Sequence, residues 1–147
     1  MPDLVQQAGG RLHVMKVAMK PGKPATIGEL GRAVYIGLPG NPAAALITFH
    51  LIAKPLIDKR SGKKPAAQLS FQALSGFERK RHPFRREFLP VRVQRVDPSG
   101  LPVVELLGRG SSAALLPFAQ ADGIAMIKPG PEALGLGNPL EFTPVRQ

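Results

Sequence analysis

The chain contains no cysteine, no tryptophan and a single tyrosine. Without cysteine it has no disulfide framework, no thiolate metal site and no thiol nucleophile, and a cytoplasmic setting is expected. The shortage of large aromatics argues against a base-stacking surface, so nucleic acid is a poor candidate partner. Acids are scarce too: 10 Asp and Glu stand against 20 Lys and Arg, a formal net charge of +10. No two acids lie close enough in sequence to nominate as a general acid and base. His13, His50 and His82 lack metal-ligand spacing, so no metal site is expected among these residues. The longest apolar stretches, such as Ala43 to Ile47, are far shorter than a membrane span, and no basic-then-apolar signal opens the chain; a soluble protein is expected. No Gly-rich loop ends in Lys-Ser or Lys-Thr, and Gly135-Leu136-Gly137-Asn138 does not continue into a dinucleotide fingerprint.

What is present is a globular mix, 44% hydrophobic and 20% charged over 147 residues, which allows one ordinary domain or two small ones. The 16 Gly and 16 Pro are spread along the chain, as suits short strands joined by turns. The positive balance favours an anionic partner without naming it; phosphorylated cofactors and oxyanions both qualify.

From Arg11 to Met19 polar and apolar residues alternate, predicting a strand that stops at Lys20-Pro21-Gly22-Lys23-Pro24. Strands are expected again at Ala25 to Leu30 and, after a Gly31-Arg32 turn, at Ala33 to Leu38. Leu38-Pro39-Gly40-Asn41-Pro42 then offers Asn41 as a helix N-cap with Pro42 at the first helical position. A helix is predicted from Ala43 to Arg60, burying Leu46, Phe49, Ile52, Leu56 and Ile57, kinked near Pro55 and closed by Gly62. Gly62-Lys63-Lys64-Pro65 reads as a linker, which sets the domain boundary: residues 1–62 on one side, 63–147 on the other. Beyond it five short strands are expected, at Leu69 to Phe77, Glu87 to Val96, Leu101 to Leu107, Ile124 to Lys128 and Leu140 to Val145, with a turn or two of helix between Ala113 and Ala119. Five strands in this length suit a small barrel or sandwich.

Four segments carry candidate chemistry. If the first strand reaches Lys20, Lys16 and Lys20 share a face beside Lys23, a pattern that fits an oxyanion seat or a solvated hairpin tip. The Leu38 to Pro42 turn leads into a helix start whose N–H groups attract anions; equally, its prolines shape the turn and Asn41 caps. Glu78-Arg79-Lys80-Arg81-His82 with Arg85 and Arg86 is the densest charge run and reads as a solvated loop. Ser111 or Ser112, in Gly108-Arg109-Gly110-Ser111-Ser112, can cap a helix or bind phosphate.

Lys16-Val17-Ala18-Met19-Lys20-Pro21-Gly22-Lys23-Pro24, followed by Gly37-Leu38-Pro39-Gly40-Asn41-Pro42, Gly108-Arg109-Gly110-Ser111 and Ala121-Asp122-Gly123, closely resembles the molybdopterin molybdenumtransferases. That family includes bacterial MoeA and the E domain of gephyrin. The resemblance implies an α/β segment, the C-terminal part of a three-layer molybdopterin-binding domain, followed by a small all-β barrel. It implies molybdenum cofactor biosynthesis: adenylylated molybdopterin is hydrolysed and molybdate inserted, assisted by magnesium. Lys16 and Lys20 match the family's active-site lysines, with Lys23 beside them. Pro39 and Pro42 match its molybdate-pocket prolines and flank Gly40 and Asn41; Ser111 matches a serine contributed by the barrel. The family arginine two residues past the Phe of its basic segment is replaced here by Pro90, and Arg92 on the same strand face is the candidate substitute. Acids that hold magnesium belong to family segments that precede these motifs, so the site is expected to be incomplete in this chain. A homodimer is implied as well. The competing expectation is a non-catalytic protein-binding or anion-binding module of the same lineage.

Overall fold

The structure is a computed structural model that describes residues 2–64, 69–108 and 115–145. The chain divides into two compact units, residues 1–65 and 66–147.

The first unit opens on a short helix, Pro2–Gln7 (α1), that buries only Val5 and has no counterpart in the sequence expectations. Strand β1 follows at Arg11–Val14, then a two-residue extended step at Met19–Lys20 (β2), and strands Thr26–Leu30 (β3) and Ala33–Gly37 (β4). The sheet runs β1-β3-β4, antiparallel throughout. Gly31 adopts φ +59 in the two-residue connection from Leu30 to Ala33, a conformation natural to glycine. The expected strand from Arg11 to Met19 is therefore shorter than its alternation promised. Its register with β3 slips between Leu12 and Val14, and the chain leaves the sheet after Val14.

Pro42–Thr48 (α2) starts as expected: Asn41 Oδ1 accepts the Ala44 N–H at 3.2 Å, and Pro42 occupies the first turn, where no N–H is needed. The helical run reaches Arg60 through a π-helical stretch, Phe49–Ala53, and α3, Lys54–Arg60. The disturbance expected near Pro55 takes that form. Proline clashes with the carbonyl four residues back and cannot bond to it, and widening the preceding turn to an i→i+5 pattern, with Lys54 N–H on Phe49 O, accommodates this. Gly62 closes the run at φ +75. Its N–H bonds Lys59 O at 3.2 Å and the Lys63 N–H bonds Asp58 O at 3.0 Å, the paired pattern of a Schellman cap.

The expected buried face of this run is wrong. Leu46, Phe49 and Ile57 are among its exposed side chains, while Ala43, Ala44, Ile47, Thr48 and Ala53 are buried. Small residues let a helix backbone sit close to its neighbours, and the π stretch rotates everything after Thr48 relative to a regular 3.6-residue period.

The second unit is a closed five-stranded barrel formed by Phe71–Ser75 (β5), Arg86–Val96 (β6), Pro102–Leu106 (β7), Gly123–Ile127 (β8) and Pro139–Pro144 (β9), with one short helix, Leu116–Gln120 (α4). The order β6-β7-β5-β9-β8 returns to β6, so no edge is left unpaired within the ring. Only β5–β7 is parallel. All five strands were expected as short runs between turns, and Ala73, Leu89, Val91, Val104, Ala125, Ile127, Leu134, Leu140 and Phe142 fill the interior. A narrow barrel needs small residues where large ones lean in. A Cβ on Gly123 would lie 2.4 Å from the Phe142 ring.

Candidate functional site

Register places the two loop motifs of the first unit together. Thr26, the first residue of β3, pairs with Gly37, the last of β4, and Ile27 pairs with Val14 at the end of β1. The lysine loop, residues 15–25, and the proline turn, residues 38–41, therefore leave the same end of the sheet. They are far apart in sequence but start from directly paired residues. Crowding at this end is real: a Cβ on Gly37 would lie 2.2 Å from Thr26 Oγ1 and 2.8 Å from the Tyr35 hydroxyl.

The lysine loop is held by its own backbone. Val17 N–H donates to Lys23 O at 3.0 Å, Met19 N–H to Val17 O at 2.8 Å, and Ala25 N–H to Gly22 O at 3.0 Å. The Lys20–Pro21 peptide bond is cis. Because the strand does not run through to Lys20, the even-spacing argument for Lys16 and Lys20 sharing a face does not describe this loop. Lys16 and Lys23 are exposed and Lys20 is half-buried. Gly22, at φ +118, sits against α2. A Cβ there would fall 2.8 Å from Thr48 Oγ1 and 2.9 Å from the Met19 thioether. Thr48 is fully buried, and its hydroxyl has no hydrogen-bond partner among the described residues. Sequence reasoning passed over it, although a hydroxyl four residues after Ala44 falls on the face that α2 buries.

In the proline turn Pro39 is buried, whereas Gly40 and Pro42 are exposed. Nothing lies within 4 Å of where a Gly40 Cβ would be, so packing does not require glycine there and the space beside it is open. Asn41 spends its carbonyl oxygen on the cap, which leaves its amide N–H groups as donors.

In the barrel, Arg92 is exposed on β6 and stands across from Glu105 of β7. Ser111 lies outside the described residues, as do Arg109, Gly110 and Ser112. Ala121-Asp122-Gly123 has a structural explanation. β8 begins at Gly123, opposite Val91, so no strand residue of β8 remains to accept the Val93 N–H of β6. The Asp122 carboxylate accepts it at 2.9 Å instead. Nor is the basic run simply a solvated loop: Arg79 Nε meets Glu87 Oε2 at 2.9 Å, with Glu87 only 2% exposed. Arg81 Nε is buried without a hydrogen-bond partner among the described residues.

Among the described residues no three His, Asp or Glu side chains gather to hold a metal ion. Among them, too, no helix is long and apolar enough to cross a membrane.

A sheet end carrying a lysine loop and a proline turn, in a chain whose second unit is a closed barrel, defines an α/β-plus-barrel protein. Residues 72–145 match the family model described as MoeA C-terminal region (domain IV), and residues 1–59 match the probable molybdopterin binding domain. The chain belongs to the MoeA family. It is 49% identical over 55 residues to a molybdopterin molybdenumtransferase of Haemophilus influenzae, covering 37% of this chain and 14% of that protein. It is 30% identical over 133 residues to molybdopterin molybdenumtransferase 1 of Mycobacterium tuberculosis, covering 87% of this chain and 31% of that protein. Among solved structures, the molybdopterin biosynthesis moea protein from Pyrococcus horikosii superposes with a TM-score of 0.75 at 29% identity, covering 99% of this chain and 34% of that one. The chain thus spans about a third or less of the length of these curated relatives.

Proposed function

We propose that this chain supplies the lysine-and-proline wall of a molybdopterin molybdenumtransferase site, in which molybdate is inserted into adenylylated molybdopterin during molybdenum cofactor biosynthesis. The observation that carries this reading is the Thr26–Gly37 pairing, which brings the lysine loop and the proline turn to one sheet end. Lys16 and Lys20 act as fixed cations that offset charge developing on phosphate oxygens as the phosphoanhydride breaks. Lys23 adds attraction for the incoming oxyanion. Pro39 and Pro42 give the turn a rigid shape around the open space at Gly40, and the Asn41 amide donates to an oxygen placed there. Arg92 and Ser111 are the barrel's contributions. In this reading residues 1–62 form the C-terminal part of a molybdopterin-binding domain and 63–147 a C-terminal barrel domain. Magnesium ligands come from elsewhere in the assembled enzyme, which works as a cytoplasmic homodimer.

Calorimetric titration of the chain with molybdate and with adenylylated molybdopterin tests this, beside a Lys16→Ala/Lys20→Ala double variant. Saturable binding that the double variant loses is the expected outcome. Equal binding by a folded double variant, or none by the parent chain, sinks the assignment.

A further inference from the structure

Tyr35, the single tyrosine of the chain, stands on β4 two residues before Gly37 and so on the same face of the sheet. Thr26, at the start of β3, pairs directly with Gly37 and shares that face. Gly37 has no side chain to part them. A Cβ there would fall 2.2 Å from Thr26 Oγ1, 2.8 Å from the Tyr35 hydroxyl and 3.3 Å from its ring carbon Cζ. The tyrosine therefore lies along β4 over the glycine and brings its hydroxyl to the end of the sheet from which the lysine loop and the proline turn leave. With both oxygens this close to one point, they are no more than about 5 Å apart, near enough for one tetrahedral oxyanion to accept from both.

Packing over a glycine accounts for the ring but not for the hydroxyls. Among the described residues no hydrogen bond engages either one, and neither is shut off from solvent as Thr48 Oγ1 is. Nor does the acid of β3 compete for them. Strand alternation turns Glu29 to the opposite face, and it lies 3.6 Å from His13. Two accessible hydroxyls beside a cationic loop can donate to an ionised acceptor, the stronger kind of hydrogen bond.

We propose, building on the lysine-and-proline reading of this sheet end, that Tyr35 and Thr26 are further binding residues of the site. Their hydroxyls donate to the oxygens of a tetrahedral oxyanion, either free molybdate or the phosphate of the nucleotide substrate.

With no tryptophan and one tyrosine in the chain, ultraviolet emission reports Tyr35 alone. The full chain is titrated with sodium molybdate and, separately, with adenosine monophosphate, followed by calorimetry and by Tyr35 emission, with free N-acetyltyrosinamide correcting for absorption by the ligand. Saturable binding of at least one ligand is expected, with an emission change at the same midpoint. A response to molybdate assigns the hydroxyls to the metal oxyanion, and a response to the nucleotide assigns them to its phosphate. Tyr35→Phe keeps the ring and Thr26→Val keeps the shape, so each should retain the parent thermal transition and bind about tenfold more weakly. Thr26→Ser, which keeps the hydroxyl, should bind as the parent does. If Tyr35→Phe does not fold, the Thr26→Val and Thr26→Ser pair carries the comparison. Binding with unchanged Tyr35 emission, or parental affinity in both hydroxyl-deleted variants, would overturn this proposal and leave the lysine-and-proline reading standing; failure of the parent to bind either ligand would overturn both.

Discussion

Glu87 shows how much a single ion pair in this barrel has at stake. It is 2% exposed on an inward-facing position of β6, and Arg79 meets it at 2.9 Å. Removing Arg79 takes its ion pair from a buried carboxylate, which costs several kcal/mol, while replacing both by apolar groups costs far less. Arg79→Leu should therefore lower unfolding free energy by about 3 kcal/mol, and Arg79→Leu/Glu87→Leu should recover most of that. Urea denaturation of the three proteins decides it; equal losses in single and double variants would mean that the pair is not what Glu87 depends on. Thr48 presents the opposite case. Its hydroxyl is buried with no hydrogen-bond partner among the described residues, so the near-isosteric Thr48→Val should be neutral or stabilising by about 1 kcal/mol. Gly22→Ala places a methyl on that same hydroxyl at a backbone angle that other residues rarely adopt, and should destabilise the lysine loop.

Among the elements, the strands of the barrel were legible because half-buried alternation is a local signal, and each turn carries its own chemistry. Asp97-Pro98-Ser99-Gly100 is a clear case. Asp97 Oδ1 accepts from Ser99 Oγ at 2.7 Å, Leu101 N–H at 2.9 Å and Ser99 N–H at 3.0 Å. The Ser99 hydroxyl foremost, then the Leu101 N–H, hold its carboxyl below the ordinary value of 3.8. Because the folded value lies below the unfolded one, this contribution is present above the unfolded value and fades as pH falls through the folded one. NMR titration should place the Asp97 carboxyl below 3.8, and Asp97→Asn should flatten the acid limb of stability. The α2–α3 run was legible at its cap and its end but not in its buried face. Alanine gives no periodic signal, and the π stretch that reorients Phe49 and Ile57 follows from Pro55 and from tertiary packing together. The lysine loop was misread for a similar reason. Alternation continued past Val14, but a register slip took the backbone out of the sheet. Asn41 separates capping from ligand contact. Asn41→Asp preserves the cap while opposing an oxyanion, so helix stability should hold and molybdate affinity should fall; Asn41→Ala should cost about 1 kcal/mol of stability.

Across the whole molecule the charge is unevenly shared. Residues 1–65 hold ten Lys and Arg against three Asp and Glu, and residues 66–147 hold ten against seven. The surplus of the first unit has two ends. Lys16, Lys20 and Lys23 belong to the loop that leaves the sheet beside Gly37, whereas Lys59, Arg60, Lys63 and Lys64 gather where the helical run finishes. Arg60 there donates to Arg32 O at 3.1 Å, in the turn at the opposite end of β3 and β4. From Pro42 to Arg60 the helical rise is roughly 27 Å. That exceeds two Debye lengths at physiological salt, where screening length is about 8 Å. If local geometry rather than bulk charge draws the oxyanion, neutralising the far cluster by Lys59→Gln/Lys63→Gln/Lys64→Gln should leave molybdate affinity unchanged at physiological salt and weaken it only at low ionic strength. Lys16→Gln/Lys23→Gln, which removes fewer charges, should weaken it at both. Titrations of these variants at two salt concentrations distinguish the cases. An equal loss from the far cluster at physiological salt would mean that the first unit attracts anions as a diffuse positive body, and that the lysine loop has no privileged place in it.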